Sequence, residues 1–273
     1  MSDVGWLARQ GPPAIDVTPR FLELYARGAA LPREFPILFV GGIFTKRYPL
    51  YLARNRRRLR ELGLSAREVP IDTEGTVIAN AAVIRDAVLQ AGPCVLVGQS
   101  KGPLDIHAAL ALHPLIVPKV RAFVSLQAPF AGTPLATDAE ASPLLRRAVY
   151  GIVGGLLRGS PRAYFEMGYA ERRAFLALHS PTPLVPTLAV AARTERAGWP
   201  LERTRRYLLE NYGAPNDGFV PAIDEEIPGA RVVRLQGMDH ASLALRWLRP
   251  RAPFEPGRAT EALIALALEE HAQ

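Results

Sequence analysis

Residues 98–102 read Gly98-Gln99-Ser100-Lys101-Gly102, a serine set between two glycines at the spacing that acyl-transfer chemistry uses. Such a serine acts as a nucleophile only where a sharp strand-to-helix turn lifts its hydroxyl clear of the chain. Gly98 and Gly102 lack the Cβ atoms that would crowd the turn, and the serine itself must take a strained backbone conformation. The flanks suit this reading. Residues 94–97 are a short apolar, β-rich run, and 103–112 reads as a helix with Leu104, Ala108, Ala111 and Leu112 at near-helical spacing. The plainer alternative is a serine capping that helix.

A serine nucleophile needs a base, and the base needs an orienting acid. Of five histidines, His107 lies within the helix after Ser100, His113 ends it, His179 ends a later helix and His271 is in the tail. His240 follows a late apolar strand, so it is the candidate base: a loop at the carboxyl edge of a parallel sheet presents it to Ser100. The acid falls between them in the order Ser, Asp or Glu, His. Asp217, in Asn216-Asp217-Gly218-Phe219-Val220-Pro221, is the preferred candidate. An aspartate of an ordinary Asx-turn is its alternative. Glu195 is the rival and Asp224 a weaker one, while Asp239 adjoins the histidine in an awkward geometry. Two backbone N–H groups suffice for a tetrahedral oxyanion. Lys101, at the start of the helix, supplies one candidate amide, and Ile43, after Gly41-Gly42, the other. A plain tight turn is the other reading of the glycine pair.

The elements that must position these groups alternate regularly. Helices are expected at 20–30, 49–62, 76–90, 103–112, 201–213, 242–248 and 260–271, and strands at 35–40, 66–71, 94–97, 120–126, 185–192 and 231–235. This predicts an α/β fold with a mostly parallel central sheet and helices on both faces. Between Pro134 and Ser180 the alternation lapses. A short apolar helical element is expected at 143–159 and a helix at 160–179.

Composition narrows the partners. The net charge of +7 comes from 33 basic residues, 30 Arg and 3 Lys, scattered along the chain, which argues against a nucleic-acid role. The one dense run, Arg54 to Arg60, reads as the solvated face of a helix. Cys94 is the single cysteine and reads as a packed core thiol. No run of eighteen apolar residues and no signal-peptide pattern occurs, so the expectation is a cytoplasmic protein without stable membrane insertion.

The matching pieces, in order, are VGGIF (40–44), VGQSKG (97–102), SLQAPFAGTPLA (125–136), NDGFVP (216–221) and GMDH (237–240). Together they resemble the α/β-hydrolase superfamily, and within it bacterial lipases and carboxylesterases. The resemblance spans about residues 35–248 and implies Ser100 as nucleophile, Asp217 and His240 as its partners, and the Ile43 and Lys101 amides as the oxyanion hole. It also implies one hydrolase domain over 1–273, with residues 134–184 inserted as a cap or lid over an acyl pocket. The implied activity is hydrolysis of a hydrophobic acyl ester through an acyl-enzyme, with no metal or organic cofactor. A thioesterase, polyester depolymerase or acyltransferase would use the same triad, and an inactive binding protein the same fold. Two positions depart from the lipase pattern: Gly41-Gly42 stands where lipases usually have His-Gly, and Lys101 brings a cation next to the nucleophile.

Overall fold

The computed structural model of the chain describes residues 3–48, 50–245 and 252–269. In chain order its elements are β1 (Ile15–Asp16), α1 (Thr18–Arg27), β2 (Ile37–Val40), α2 (Ala53–Glu61), β3 (Ala66–Glu68), α3 (Val77–Ala91), β4 (Cys94–Gln99), α4 (Gly102–Leu112), β5 (Val120–Leu126), α5 (Pro134–Ala141), α6 (Pro143–Val149), α7 (Arg162–Phe165), α8 (Tyr169–Leu178), β6 (Thr187–Arg193), α9 (Leu201–Tyr212), β7 (Arg231–Gln236) and α10 (Pro256–Leu268). A π-helix over Tyr150–Leu156 continues α6.

The strands form one seven-stranded sheet in the order β1-β7-β6-β5-β4-β2-β3, and every pairing is parallel. Successive side chains of a strand point to opposite faces, and here both sets are buried. Leu38, Val40 and Leu96 pack with Ala81, Ile84 and Val88 of α3 and Leu104 of α4. Ile37, Phe39, Val95 and Val97 face the other way, onto Phe21 of α1, Leu59 of α2 and Leu263 of α10. A fully buried side chain of this size contributes roughly 1.5–3 kcal/mol. The strands are therefore near-continuous apolar runs, and the molecule is three layers thick.

Chain order reverses once along the sheet. From β2 the chain first adds β3 at one edge, then returns to pair β4 on the other side of β2 and proceeds outward. Ligands of open parallel sheets bind at the carboxyl ends of the strands flanking such a reversal. The strands that flank it are β2 and β4, which lead into Gly41-Gly42 and Ser100.

Apart from the segments 160–179 and 242–248, the expected helices and strands recur with ends shifted by a few residues, some shorter and some, such as β4 and β7, longer. Strand β1 was not expected: two residues carry no legible alternation, and their pairing with Arg231 and Val232 alone defines them. The single helix expected at 160–179 is interrupted between α7 and α8. Gly168 there is extended, at φ −75° and ψ 157°, and the Met167 carbonyl accepts the Thr133 N–H at 2.8 Å instead of continuing a helix. Of the helix expected at 242–248, residues 242–244 form a turn and 246–248 lie outside the described residues, as do Pro49 and the expected tail at 270–271.

The arginine run lies on α2, where it is part of a charged face. Arg56 pairs with Glu68, Arg57 with Glu61 and Arg58 with Glu261. Asn55, fully buried on the same helix, donates to the Leu243 carbonyl at 2.9 Å and to Thr260 at 2.8 Å. Cys94 is buried and free, and desolvation pushes its thiol up to about 11. Among the described residues no helix is long and apolar enough to cross a membrane.

Candidate active site

Ser100 occupies the two-residue turn between β4 and α4 with φ at 58°, a left-handed conformation that costs a non-glycine residue about 1–3 kcal/mol. Its N–H is tied to the Leu126 carbonyl at 2.9 Å, which anchors the turn to β5. Gly98 and Gly102 are needed on steric grounds. A Cβ on Gly98 would lie 2.7 Å from the Pro103 nitrogen, and one on Gly102 would run into the Val40 carbonyl. Phe44 and Gln127, beside the same site, also hold positive φ, at 66° and 49°.

His240 Nε2 lies 2.8 Å from Ser100 Oγ, and His240 Nδ1 lies 2.6 Å from Asp217 Oδ2. An ionised carboxylate can only accept, so Nδ1 donates to Asp217 and Nε2 is left to accept the serine proton. The loops carrying the two are also joined directly, His240 N–H to the Asp217 carbonyl at 2.8 Å. Asp217 is fully buried and surrounded by donors: Phe219 N–H and Val220 N–H on Oδ1 at 2.8 Å each, and Gln127 Nε2 on Oδ2 at 3.1 Å. The Phe219 ring lies against the imidazole, with centroids 4.8 Å apart.

The other acids are engaged elsewhere. Asp224 accepts Tyr169 Oη–H at 2.6 Å and Gly5 N–H at 2.8 Å, and desolvation raises its carboxyl to about 7. Asp239 accepts Gly198 N–H at 2.8 Å and Ser242 Oγ–H at 2.6 Å. Glu195 is exposed and borders a separate surface cavity with Arg193 and Arg196. His107 is buried against Phe130 and Phe175, and desolvation, with Arg172 nearby, lowers its imidazole to about 3.

A cavity of about 500 Å³ opens over Ser100 and His240. Ile43, Phe44, Tyr48, Trp199, Leu201 and Phe219 supply most of its apolar wall. Residues 134–184, expected as a cap, supply none of the described lining; the loop 198–201 forms the wall in their place. Residues 134–184 are tied to the carboxyl edge of the sheet through Glu166, which accepts Val77 N–H at 2.8 Å, and through Tyr169 on Asp224.

The sequence matches no protein-family model and no curated protein. Solved structures do match. A metagenomic carboxyl esterase superposes with a TM-score of 0.80 at 20% identity, over 93% of this chain and 92% of that one. The mature form of a Bacillus licheniformis lipase superposes with a TM-score of 0.63 at 20% identity, over 78% of this chain and 87% of the lipase. A Staphylococcus hyicus lipase gives 0.58 at 12% identity, over 88% and 95%. The chain has the α/β-hydrolase fold.

Within this α/β-hydrolase fold, the Gly41-Gly42 turn is braced without a histidine. Thr45 Oγ1 donates to the Gly42 carbonyl at 2.8 Å, and the buried Tyr51 phenol lies beside the Gly42 backbone. Gly42 itself presses on Ser100: a Cβ there would stand 2.6 Å from Ser100 Cβ. Gly42→Ala is therefore expected to lower kcat/KM on an ester by about a hundredfold or more, by shifting the loop that carries Ile43. Steady-state kinetics beside a melting curve checks this; an unchanged kcat/KM would show that the loop gives way freely. The cation expected beside Ser100 does not line the described cavity. Lys101 is 1% exposed, with Nζ on Asp105 Oδ1 at 2.6 Å, and Asp105 also accepts Asn80 Nδ2 at 2.9 Å.

Three side chains that sequence analysis did not single out lie against Asp217 and His240. Gln127 bridges Asp217 and the Asp239 carbonyl, Gln99 donates to the His240 carbonyl at 2.9 Å, and Glu225 is buried near Asp217. The first two were within reach of the sequence. Each ends or follows a strand at the edge where ligands bind, and each is an amide among apolar residues.

Proposed function

We propose that the chain hydrolyses carboxylic esters of hydrophobic acyl groups, with Ser100 as nucleophile, His240 as general base and then acid, and Asp217 as the group that orients it. The single observation that carries this is the unbroken line Ser100 Oγ–His240–Asp217, at 2.8 and 2.6 Å, at the floor of a largely apolar cavity. Carboxyl esterases and lipases among the structural neighbours support the same reaction class.

His240 Nε2 removes the serine proton as Oγ attacks the ester carbonyl, and the imidazolium that forms is stabilised by the Asp217 carboxylate. The Ile43 and Lys101 amides receive the oxyanion in this reading: Ile43 borders the cavity, and Lys101 caps the N-terminus of α4, where the helix dipole favours negative charge. The imidazolium then returns its proton to the leaving alcohol. Water, activated by the same base, releases the acid. The alcohol and acyl portions are selected by Tyr48, Trp199 and Phe219, which offer apolar surface and no fixed charge.

A fluorophosphonate probe tests the assignment. It is expected to label wild type stoichiometrically at Ser100, as located by peptide mass. Failure to label, together with inactivity on p-nitrophenyl esters from acetate to palmitate, would move the fold to a binding role.

A further inference from the structure

Behind Asp217 lies a second carboxyl that the reaction just described does not use. Glu225 ends the 3₁₀ turn Ala222–Glu225 and is fully buried. One of its oxygens, Oε2, accepts Ala192 N–H from β6 at 2.5 Å, and the other, Oε1, meets no donor among the described residues. Asp217, Glu225 and His240 each bring a polar atom into a group whose members all lie within 4.8 Å of one another.

Two carboxylates cannot both ionise in so small a buried space, so the pair keeps a proton. The donors decide which member holds it. Asp217 accepts four N–H groups, two on each oxygen, an arrangement that suits a carboxylate with no proton of its own. Glu225 accepts one, and its other oxygen, with no donor in hydrogen-bond reach among the described residues, is the one left to bear a hydrogen. The strongest charges acting on it, Asp217 and Asp224, are both negative, and burial pushes its carboxyl well above the usual range. Of the other groups around it, Glu226 is paired with Arg234 of β7, Tyr169 is engaged by Asp224, and Arg193 is exposed at the end of β6.

We propose that Glu225 is a positioning residue: its buried carboxyl carries the pair's proton on Oε1 and donates it to Asp217, fixing the plane in which that carboxylate meets His240. The role rests on the reading of Asp217 and His240 as reaction machinery. Glu225 touches no substrate, and nothing is transferred; the proton stays on Glu225 through the cycle.

The test compares wild type with Glu225→Gln and Glu225→Leu, in ester kinetics and in thermal unfolding between pH 5 and pH 9. Glutamine keeps a donor at Oε1 without a titratable group, so kcat is expected to stay within about threefold of wild type. Leucine fills the space without a donor, and kcat is expected to fall tenfold or more with KM little changed, as is usual when a supporting hydrogen bond is lost. The melting curves follow from linkage. A folded carboxyl raised above its ordinary value of 4.5 gives full stability below that value and loses it as pH rises toward the folded value. Glutamine does not titrate. Its melting temperature is therefore expected to gain on wild type as pH rises from 5 to 9. A gap independent of pH, or a glutamine variant as impaired as leucine, means that Glu225 is ionised and overturns the proposal, and so does full activity in Glu225→Leu. Should Glu225→Leu fail to fold, the glutamine comparison decides alone. A pH-dependent gap in a protein that turns over no ester would keep the proton on Glu225 and overturn the ester-hydrolase reading instead.

Discussion

Ser100→Ala is expected to lower ester turnover by roughly 10⁴-fold or more while leaving the melting temperature within a few degrees of wild type. The large loss follows from chemistry. Without Oγ no acyl-enzyme forms, and His240 Nε2, which lies 2.8 Å from that oxygen, has no proton to receive. The small structural cost follows from packing, since alanine keeps the Cβ that Gly42 is shaped to admit and the backbone tie to Leu126. Side-by-side hydrolysis of p-nitrophenyl esters by wild type and variant measures it. Residual turnover above about one part in a hundred would remove Ser100 from the reaction, whatever the geometry of its turn.

Asp217→Asn carries the second large effect, about 10³–10⁴-fold in kcat with folding retained. An asparagine at this position cannot satisfy its surroundings. Phe219 N–H, Val220 N–H, Gln127 Nε2 and His240 Nδ1 all point donors at the carboxylate, so the new NH₂ group must face one of them. If it faces His240, the imidazole is driven to the wrong tautomer, with Nδ1 accepting and Nε2 protonated. If it faces the backbone amides, the turn at 217–220 loses its two internal ties. Glu195→Gln, made in parallel, is expected to stay within about twofold, because surface substitutions away from such networks are nearly neutral. The reverse ranking would move the acid to Glu195.

Ser100, Asp217 and His240, which the structure brings within hydrogen-bond reach of one another, each sit in a short pattern whose physical reason is local: glycines that a tight turn requires, an aspartate in a glycine-containing turn, a histidine after a late strand. The parallel sheet was legible for a similar reason, since strands buried on both faces are written as continuous apolar runs. What escaped depends on distant partners. Glu225 acts on a β6 amide 33 positions back, and nothing beside it signals its role. Gln127 acts on a residue 90 positions away, and only its place as an amide at the end of an apolar strand marks it. The break between α7 and α8 belongs here too. Residues 160–179 have the composition of one helix, and only the Thr133 amide, brought in by the end of β5, captures the Met167 carbonyl and stops it.

Asp239 has a mechanical consequence. Its carboxylate holds Gly198, at the head of the loop that walls the cavity, while its own backbone runs directly into His240. Trp199, beside Gly198, lines the cavity from the same loop. The loop that walls the cavity and the segment that carries the imidazole are thus joined through one side chain, Asp239.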